Sequence, residues 1–183
     1  MKRTDGGLAP PSIRFDGLRV RRNPERSRVR AEGGTGMNDD QLKKLIGKVA
    51  QLPYHRFMDF RIESCGKGAC EIRIDIHPNI LNVFNMVHGG IHYSMCDVAA
   101  FLAACTLLDG DSLSVTSDIN VSVLSFASSG TLIYTAKVLK MGKRIGFIES
   151  RVYDGDRNLI AVARITKTII SPHPKMKELL ERP

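Results

Sequence analysis

The sequence lacks a segment that is both long enough and apolar enough to cross a bilayer. The apolar run from Val98 to Leu108 is about half of the roughly 20 residues that a transmembrane helix needs. Residues 1–36 contain no apolar run of the roughly 7 to 15 residues typical of a secretory signal, and the chain has no internal repeat. We therefore expect a cytoplasmic protein without a membrane partner.

Patterns typical of metal sites and disulfide frameworks are also absent. The four cysteines form neither a C-x-x-C pair nor another spacing typical of metal ligands. Reduced thiols are the default for such a chain in the cytosol. We expect no metal site and no bound cofactor. The cysteines are Cys65, Cys70, Cys96 and Cys105.

Positive charge is concentrated near the N-terminus. Residues 1–36 hold nine Lys or Arg and four Asp or Glu, so they carry +5 of the formal net charge of +8. Their low apolar content cannot offset the entropy of ordering the chain, which favours a disordered tail over a nucleic-acid-binding arm. We place the folded domain at residues 37–183 and, because that part is nearly neutral, expect no nucleic-acid partner.

Apolar residues recur at helical spacing after Met37. Asn38 and Asp39 are typical helix-capping residues, and Pro53 is expected to end the helix. A short strand is predicted at residues 56–63. The apolar positions of the helix are Leu42, Leu45, Ile46, Val49 and Leu52.

Alternating apolar and polar residues predict an antiparallel sheet. In ACEIRIDIH, residues 69–77, every second side chain from Cys70 to Ile76 is apolar. Four later strands are joined by the short turns ASSG, MGK and DGDRN, which are typical of hairpins and predict a four-strand meander. A minor helix at most is expected at the end of the chain. The later strands are predicted at residues 114–126, 131–141, 144–153 and 159–171.

Residues 89–110 are apolar nearly all round and rich in alanine, which predicts a helix that is buried on most sides. A long antiparallel sheet wrapped around this one helix accommodates all the predicted elements. The fold class is therefore predicted to be α+β.

One carboxylate, Asp97, interrupts the apolar helix. Because aspartate is rarely buried without partners, it is either a structural residue satisfied by its neighbours or a general base or nucleophile. Gly89 and Gly90 stand where the helix begins, so a substrate oxygen could approach the unpaired amides there. The glycines predict an oxyanion site, or they simply permit close packing of the helix on the sheet.

The segment LNVFNMVHGGIHYSMCDVAAFLA, followed by VTSDINVSVLSFASSGTLIYTAKVLKMGKRIGFIESRVYD, resembles the hotdog-fold acyl-CoA thioesterases of the phenylacetic-acid-degradation (PaaI-like) type. The similarity covers about residues 45–170. It depends on an asparagine, a His-Gly-Gly whose histidine lies six residues later, an aspartate nine residues further on, and a hydroxyl on the next strand. The resemblance implies a hotdog fold.

The resemblance also implies roles for five residues. Asp97 would activate water or attack the thioester itself, and the amide of Gly89 would bind the thioester carbonyl. His88 would brace the loop, and Asn82 would help to orient the water or the thioester. Thr116 would place a hydroxyl near the carboxylate.

Further positions concern the substrate. Gly90 would let the substrate approach the helix. Lys143 and Arg144 lie where a phosphate of coenzyme A could be bound, but the same two residues fit an ordinary solvated turn equally well. Asn85 replaces a glycine that is common in the loop of this family. Asparagine tolerates the left-handed conformation that glycine would supply.

The leading hypothesis is an enzyme that hydrolyses acyl-CoA or aryl-CoA thioesters, with coenzyme A as part of the substrate. The resemblance implies a homodimer or a homotetramer, in which Asn82, His88 and Gly89 of one chain meet Asp97 and Thr116 of the other. One alternative is a non-catalytic acyl-CoA sensor, but the tail is too short for a helix-turn-helix. Another is a hotdog enoyl-CoA hydratase, whose expected aspartate–histidine pair is poorly matched.

Overall fold

The computed structural model describes residues 36–181, which contain six strands, four α-helices and one short 3-10 helix at Pro78–Ile80. The predicted disordered tail therefore lies almost wholly outside the described residues. No helix in the described range is long and apolar enough to span a membrane. The helices are α1 (Asp39–Gln51), α2 (Pro53–Met58), α3 (Gly89–Cys105) and α4 (Pro174–Glu181), and the strands are β1 (Phe60–Gly66), β2 (Ala69–Asp75), β3 (Leu113–Val123), β4 (Thr131–Met141), β5 (Ile145–Tyr153) and β6 (Leu159–Ile170).

The six strands form one antiparallel sheet with the order β1-β2-β4-β5-β6-β3. Helix α3 packs across one face of this sheet and contacts all six strands. Its buried side chains include Met95, Ala99 and Leu102, which belong to the main hydrophobic core. The predicted α+β architecture, a long antiparallel sheet around one central helix, is confirmed.

The predicted four-strand meander is wrong at its first connection. Strand β3 pairs with β6 at one edge of the sheet, whereas β4 pairs with β2 and β5. The ASSG segment is therefore a crossover between non-adjacent strands, and only β4, β5 and β6 are joined as consecutive hairpins. A turn sequence reports that the chain reverses locally, but it carries no information about which strand the chain pairs with next.

Two predicted helix boundaries also differ from the structure. Pro53 begins helix α2 instead of only ending α1, so residues 56–58 are helical and the strand starts at Phe60. Proline suits the first turn of a helix because no amide hydrogen is needed there. Helix α3 ends at Cys105, since the hydroxyl of Thr106 donates to the Ala103 carbonyl and accepts from the Gly68 amide.

Three further elements, α1, β2 and α4, agree with the sequence, although β2 ends at Asp75 and β3 at Val123, two and three residues before their predicted ends. Helix α1 begins with a capping box, in which Asn38 and Gln41 each accept a hydrogen bond from the other's backbone amide. The predicted inward row of β2 is buried at Cys70, Ile72 and Ile74. The end of the chain forms α4, which contacts α1.

Candidate active site

One face of the central helix is left open by the sheet. Its exposed or half-exposed residues recur every three or four positions, as expected for one helical stripe, and Asp97 is among them with 37% of its side chain exposed. Asp97 is therefore only half-buried in the single chain. The composition of α3 shows that most of its surface is covered, but not which stripe stays open. The stripe consists of Gly90, Tyr93, Ser94, Asp97 and Phe101.

Asp97 lies in a compact hydrogen-bonded cluster with two other side chains. The hydroxyl of Thr116 on β3 donates to Asp97 Oδ1 over 2.6 Å. The ammonium of Lys167 on β6 donates to the same Oδ1 over 2.7 Å and to the Thr116 oxygen over 2.6 Å. Thr116 therefore lies beside the carboxylate, as the resemblance implies. Both donors use Oδ1, which leaves Oδ2 available to a substrate or water.

Lys167 is the member of this cluster that was not predicted from the sequence. Between residues 36 and 181 it is the only buried lysine or arginine, with 1% of its side chain exposed. The signal was present in β6, because Ala163, Ile165 and Ile169 mark an inward-facing row of alternate residues to which Lys167 also belongs. A charged residue in such a row needs a partner of opposite charge.

One of the two glycine amides at the start of α3 forms a hydrogen bond with a neighbouring side chain. His88 is the N-cap residue, and its Nδ1 accepts a hydrogen bond of 3.0 Å from the Gly90 amide. Since Nδ1 accepts, the proton of the neutral His88 ring is on Nε2. The Gly89 amide has no acceptor within the described range, and a Cβ added at Gly89 would meet nothing within 4 Å. Gly89 thus offers an unpaired donor at the positive end of the helix.

Asn82 holds the loop that leads into α3. Its Oδ1 accepts hydrogen bonds from the Phe84 and Met86 amides, at 2.9 and 3.2 Å. The loop contains Asn85 with φ of 58°, so the expected left-handed conformation is confirmed. The side-chain carbonyl of Asn82 thus serves the loop, and only its amide group remains for other contacts.

A pocket of ≈ 410 Å³ opens beside Asp97. Its lining combines the polar cluster with apolar side chains from α1, α3 and α4, among them Val49, Phe101 and Leu179. The volume lies within the range of small-molecule sites, roughly 300 to 1,000 Å³, and a mostly apolar wall with a few convergent polar groups is typical of them.

Lys143 and Arg144 lie in the turn between β4 and β5 and are exposed. This turn is at the same end of the sheet as the Asp97 cluster. The Arg144 carbonyl accepts from the Ile169 amide over 2.8 Å, and Gly146 is paired with Lys167. Neither basic side chain forms an ion pair with another residue in the 36–181 range.

The other titratable candidates are occupied elsewhere. His92 is buried and its Nδ1 lies 3.1 Å from the Tyr134 hydroxyl, and burial lowers the pKa of His92 to about 4. Burial raises the pKa of the Cys96 thiol to about 11, which disfavours the reactive thiolate. Neither residue forms a hydrogen bond with Asp97.

Gly89 and Asp97 are too far apart to act on one small group within a single chain. Eight residues separate them on α3, which corresponds to about 12 Å along the helix axis. Reacting atoms must come within about 3.5 Å of each other. Within one chain, the two groups therefore do not reach the same reacting atoms.

Large apolar side chains are exposed near the start of α3 and along the edge strand β3. Val83 and Phe84 in the loop are 91% and 75% exposed, and Phe126 after β3 is 73% exposed. The two regions are neighbours, because the Val87 amide donates to the Ala127 carbonyl over 2.8 Å. Exposed apolar surface along an unpaired strand edge is typical of a protein interface.

Residues 84–161 match the thioesterase superfamily. Among curated proteins, the 1,4-dihydroxy-2-naphthoyl-CoA hydrolase of Listeria monocytogenes is 24% identical over 105 residues, which are 57% of this chain and 85% of that protein. Among solved structures, the PaaI protein from the phenylacetic acid degradation operon of E. coli has a TM-score of 0.66 at 19% identity, covering 73% of this chain and 96% of that one. A hypothetical thioesterase of Streptococcus pneumoniae, solved with coenzyme A, has a TM-score of 0.59 at 16% identity, with coverages of 63% and 88%. The structural likeness identifies the fold as the hotdog fold.

Proposed function

We propose that the chain hydrolyses thioesters of coenzyme A to a free carboxylic acid and coenzyme A, because residues 84–161 match the thioesterase superfamily and the chain has the hotdog fold. The observation that carries the proposal is the carboxylate of Asp97, which is held on one oxygen by Thr116 and Lys167 and opens on the other side to an apolar pocket. The naphthoyl-CoA hydrolase among its relatives and the coenzyme A in a structural neighbour point to the same class of substrate.

Asp97 acts as the general base of this reaction. Oδ2 takes a proton from a water molecule while the water oxygen attacks the carbonyl carbon of the thioester. The tetrahedral intermediate then breaks its C–S bond, the sulfur takes up the proton, and the products are the acid and the free thiol. Attack by Asp97 itself is less suited to the site, because the two donors on Oδ1 restrict the rotation that a covalent adduct would require.

The amide of Gly89 stabilises the negative charge that develops on the thioester oxygen. Within the described residues it is an unpaired donor at the N-terminus of α3, and a Cβ at Gly89 would meet open space. His88 occupies the Gly90 amide and so fixes the first turn, while Asn82 fixes the preceding loop and can direct its remaining amide group to the water or the thioester.

Two chains related by a two-fold axis build each complete site. The distance of about 12 Å between the levels of Gly89 and Asp97 on α3 prevents one chain from supplying both groups. In a dimer of antiparallel helices, the helix start of each chain faces the middle of the other helix. The exposed apolar loop at Val83 and Phe84 and the edge strand β3 supply the contact surface.

The two parts of the substrate are bound by different surfaces. The acyl group enters the pocket beside Asp97, whose apolar walls suit a hydrocarbon chain or ring. The phosphates of coenzyme A are bound by Lys143 and Arg144, which are exposed at the Asp97 end of the sheet.

A panel of aliphatic and aromatic acyl-CoA thioesters tests the proposed function, with release of free thiol as the readout. We expect the wild-type protein to hydrolyse members of the panel and the Asp97→Asn variant to lose about a hundredfold or more in kcat. The asparagine keeps an oxygen for Thr116 and Lys167, so the fold should be retained. A wild-type protein that is inactive on all of them, or an Asp97→Asn variant with wild-type kcat, would contradict the proposal.

Substitution of Gly89 tests the oxyanion site with a matched control. Gly89→Pro removes the amide hydrogen at a position where proline is favoured, and the ψ of 132° at His88 is compatible with a following proline. Gly89→Ala keeps the amide, and its methyl group meets nothing within 4 Å. We expect kcat to fall about a hundredfold or more for the proline variant and far less for the alanine variant. Equal losses in the two variants would exclude the amide.

A further inference from the structure

The buried ammonium of Lys167 is unusual for a lysine and calls for a physical explanation. Only 1% of the side chain is exposed, and placing a charge out of water costs several kcal/mol unless it is compensated. Its contacts are Asp97 Oδ1 at 2.7 Å, Thr116 Oγ1 at 2.6 Å and the ring of Phe101, whose centroid is 5.8 Å away. Each of these three contacts is with a residue that lines the pocket beside Asp97.

The three side chains constrain one another's hydrogen-bond directions. Lysine can only donate, so the Thr116 oxygen must accept from Lys167. The single hydroxyl hydrogen of Thr116 is then directed to Asp97 Oδ1. With two donors on Oδ1, the carboxylate cannot rotate freely, and Oδ2 is the oxygen that remains for water.

From this geometry we infer that Lys167 is a positioning residue that orients the Asp97 carboxylate, an inference that rests on the proposed function. The ammonium at 2.7 Å and the Thr116 hydroxyl at 2.6 Å hold Oδ1, so Oδ2 is left to the attacking water. Without Lys167 the carboxylate keeps one donor and can turn, so the loss should fall on kcat while binding of the substrate is largely kept.

Other charged groups near Asp97 must be separated from this effect. Lys48 of α1 and His55 of α2 line the same pocket, and Cys96 precedes Asp97 on α3. Since Lys48 and His55 remain in every variant below, a difference between variants reports on Lys167 alone.

The experiment measures kcat and KM on one acyl-CoA thioester at neutral pH for the wild type, Lys167→Gln, Lys167→Met and Lys167→Arg. We expect kcat to fall about tenfold or more in Lys167→Met, which cannot donate a hydrogen bond, with KM changed far less. Lys167→Arg keeps a charged donor and should recover much of the loss. Lys137→Met, on the exposed row of β4, is the matched control and should leave both constants unchanged. A purely structural lysine would lower the melting temperature of its variants without a selective loss of kcat in the folded protein.

Two results would overturn the inference. One is a folded Lys167→Met variant with the kcat of the wild type. The other is a folded Lys167→Arg variant that loses as much kcat as Lys167→Met. If Lys167→Met does not fold, Lys167→Gln decides in its place. NMR couplings that report the Asp97 side-chain rotamer should show one rotamer in the wild type and averaging in the uncharged variants. This readout needs no turnover, so an inactive wild type would refute the proposed function and still leave the role of Lys167 decided.

Discussion

Removal of either partner of the Asp97–Lys167 pair should destabilise the protein by unequal amounts. The Asp97→Ala variant leaves the ammonium of Lys167 with only the Thr116 oxygen and the Phe101 ring, at a place where 1% of the lysine side chain reaches solvent. Leaving a buried charge without its partner typically costs about 3 to 5 kcal/mol. The Lys167→Met variant leaves Asp97 with 37% of its side chain exposed and the Thr116 hydrogen bond intact. Loss of one hydrogen bond to a group that water can reach costs only about 1 kcal/mol.

Urea unfolding of both single variants and the double variant measures this asymmetry. All proteins should be compared at one concentration and at neutral pH, because association adds to apparent stability. We expect Asp97→Ala to lower the free energy of unfolding by about 2 kcal/mol or more beyond Lys167→Met. The double variant should be more stable than Asp97→Ala, because it no longer contains the isolated ammonium. If Asp97→Ala costs no more than Lys167→Met, or if the double variant is the least stable, our account of the buried charge is wrong.

Three further outcomes follow from the described contacts. Burial holds the pKa of His92 at about 4, below the ordinary 6.5, so the unfolded chain binds the proton first as the pH falls. The free energy of unfolding should therefore fall by roughly 3 kcal/mol between about pH 6.5 and pH 4. A His92→Asn variant that keeps the same pH dependence would contradict this. The four buried cysteines should not react with a thiol reagent in the native protein and should all react in denaturant, and fast native labelling would refute their burial. Leu179→Trp should shift hydrolysis toward smaller acyl groups because Leu179 lines the pocket. Leu139→Trp, at an exposed position, should leave the acyl preference unchanged. If both variants have the same acyl preference, the pocket does not bind the acyl group.

The main elements of the fold could be predicted because their signals are local. The alternation in β2 and the nearly continuous apolar surface of α3 each follow from the period of one element. The strand order could not be predicted, because β3 and β4 are joined by an ordinary turn sequence and yet lie apart in the sheet. Pairing is decided by the burial of whole strand faces, which a turn does not encode.

The candidate site likewise contains residues that could be predicted from the sequence and residues that could not. Asp97, His88 and Gly89 lie within one short segment, so their spacing was readable from the sequence. Lys167 lies 70 positions from Asp97, and only the fold brings the two together. The use of the His88 ring to occupy the Gly90 amide depends on a side-chain rotamer, which spacing does not determine.

The central claim is that Gly89 of one chain and Asp97 of another act on the same thioester. It is tested most directly by mixing the Gly89→Pro and Asp97→Asn variants in equal amounts, refolding them together and measuring thioester hydrolysis, with subunit exchange verified by mass. Random pairing makes about half of the dimers mixed, and a mixed dimer has one intact site of two if the site is shared. Our account predicts recovery to about a quarter of wild-type activity, and a fully exchanged mixture as inactive as its parents would contradict it.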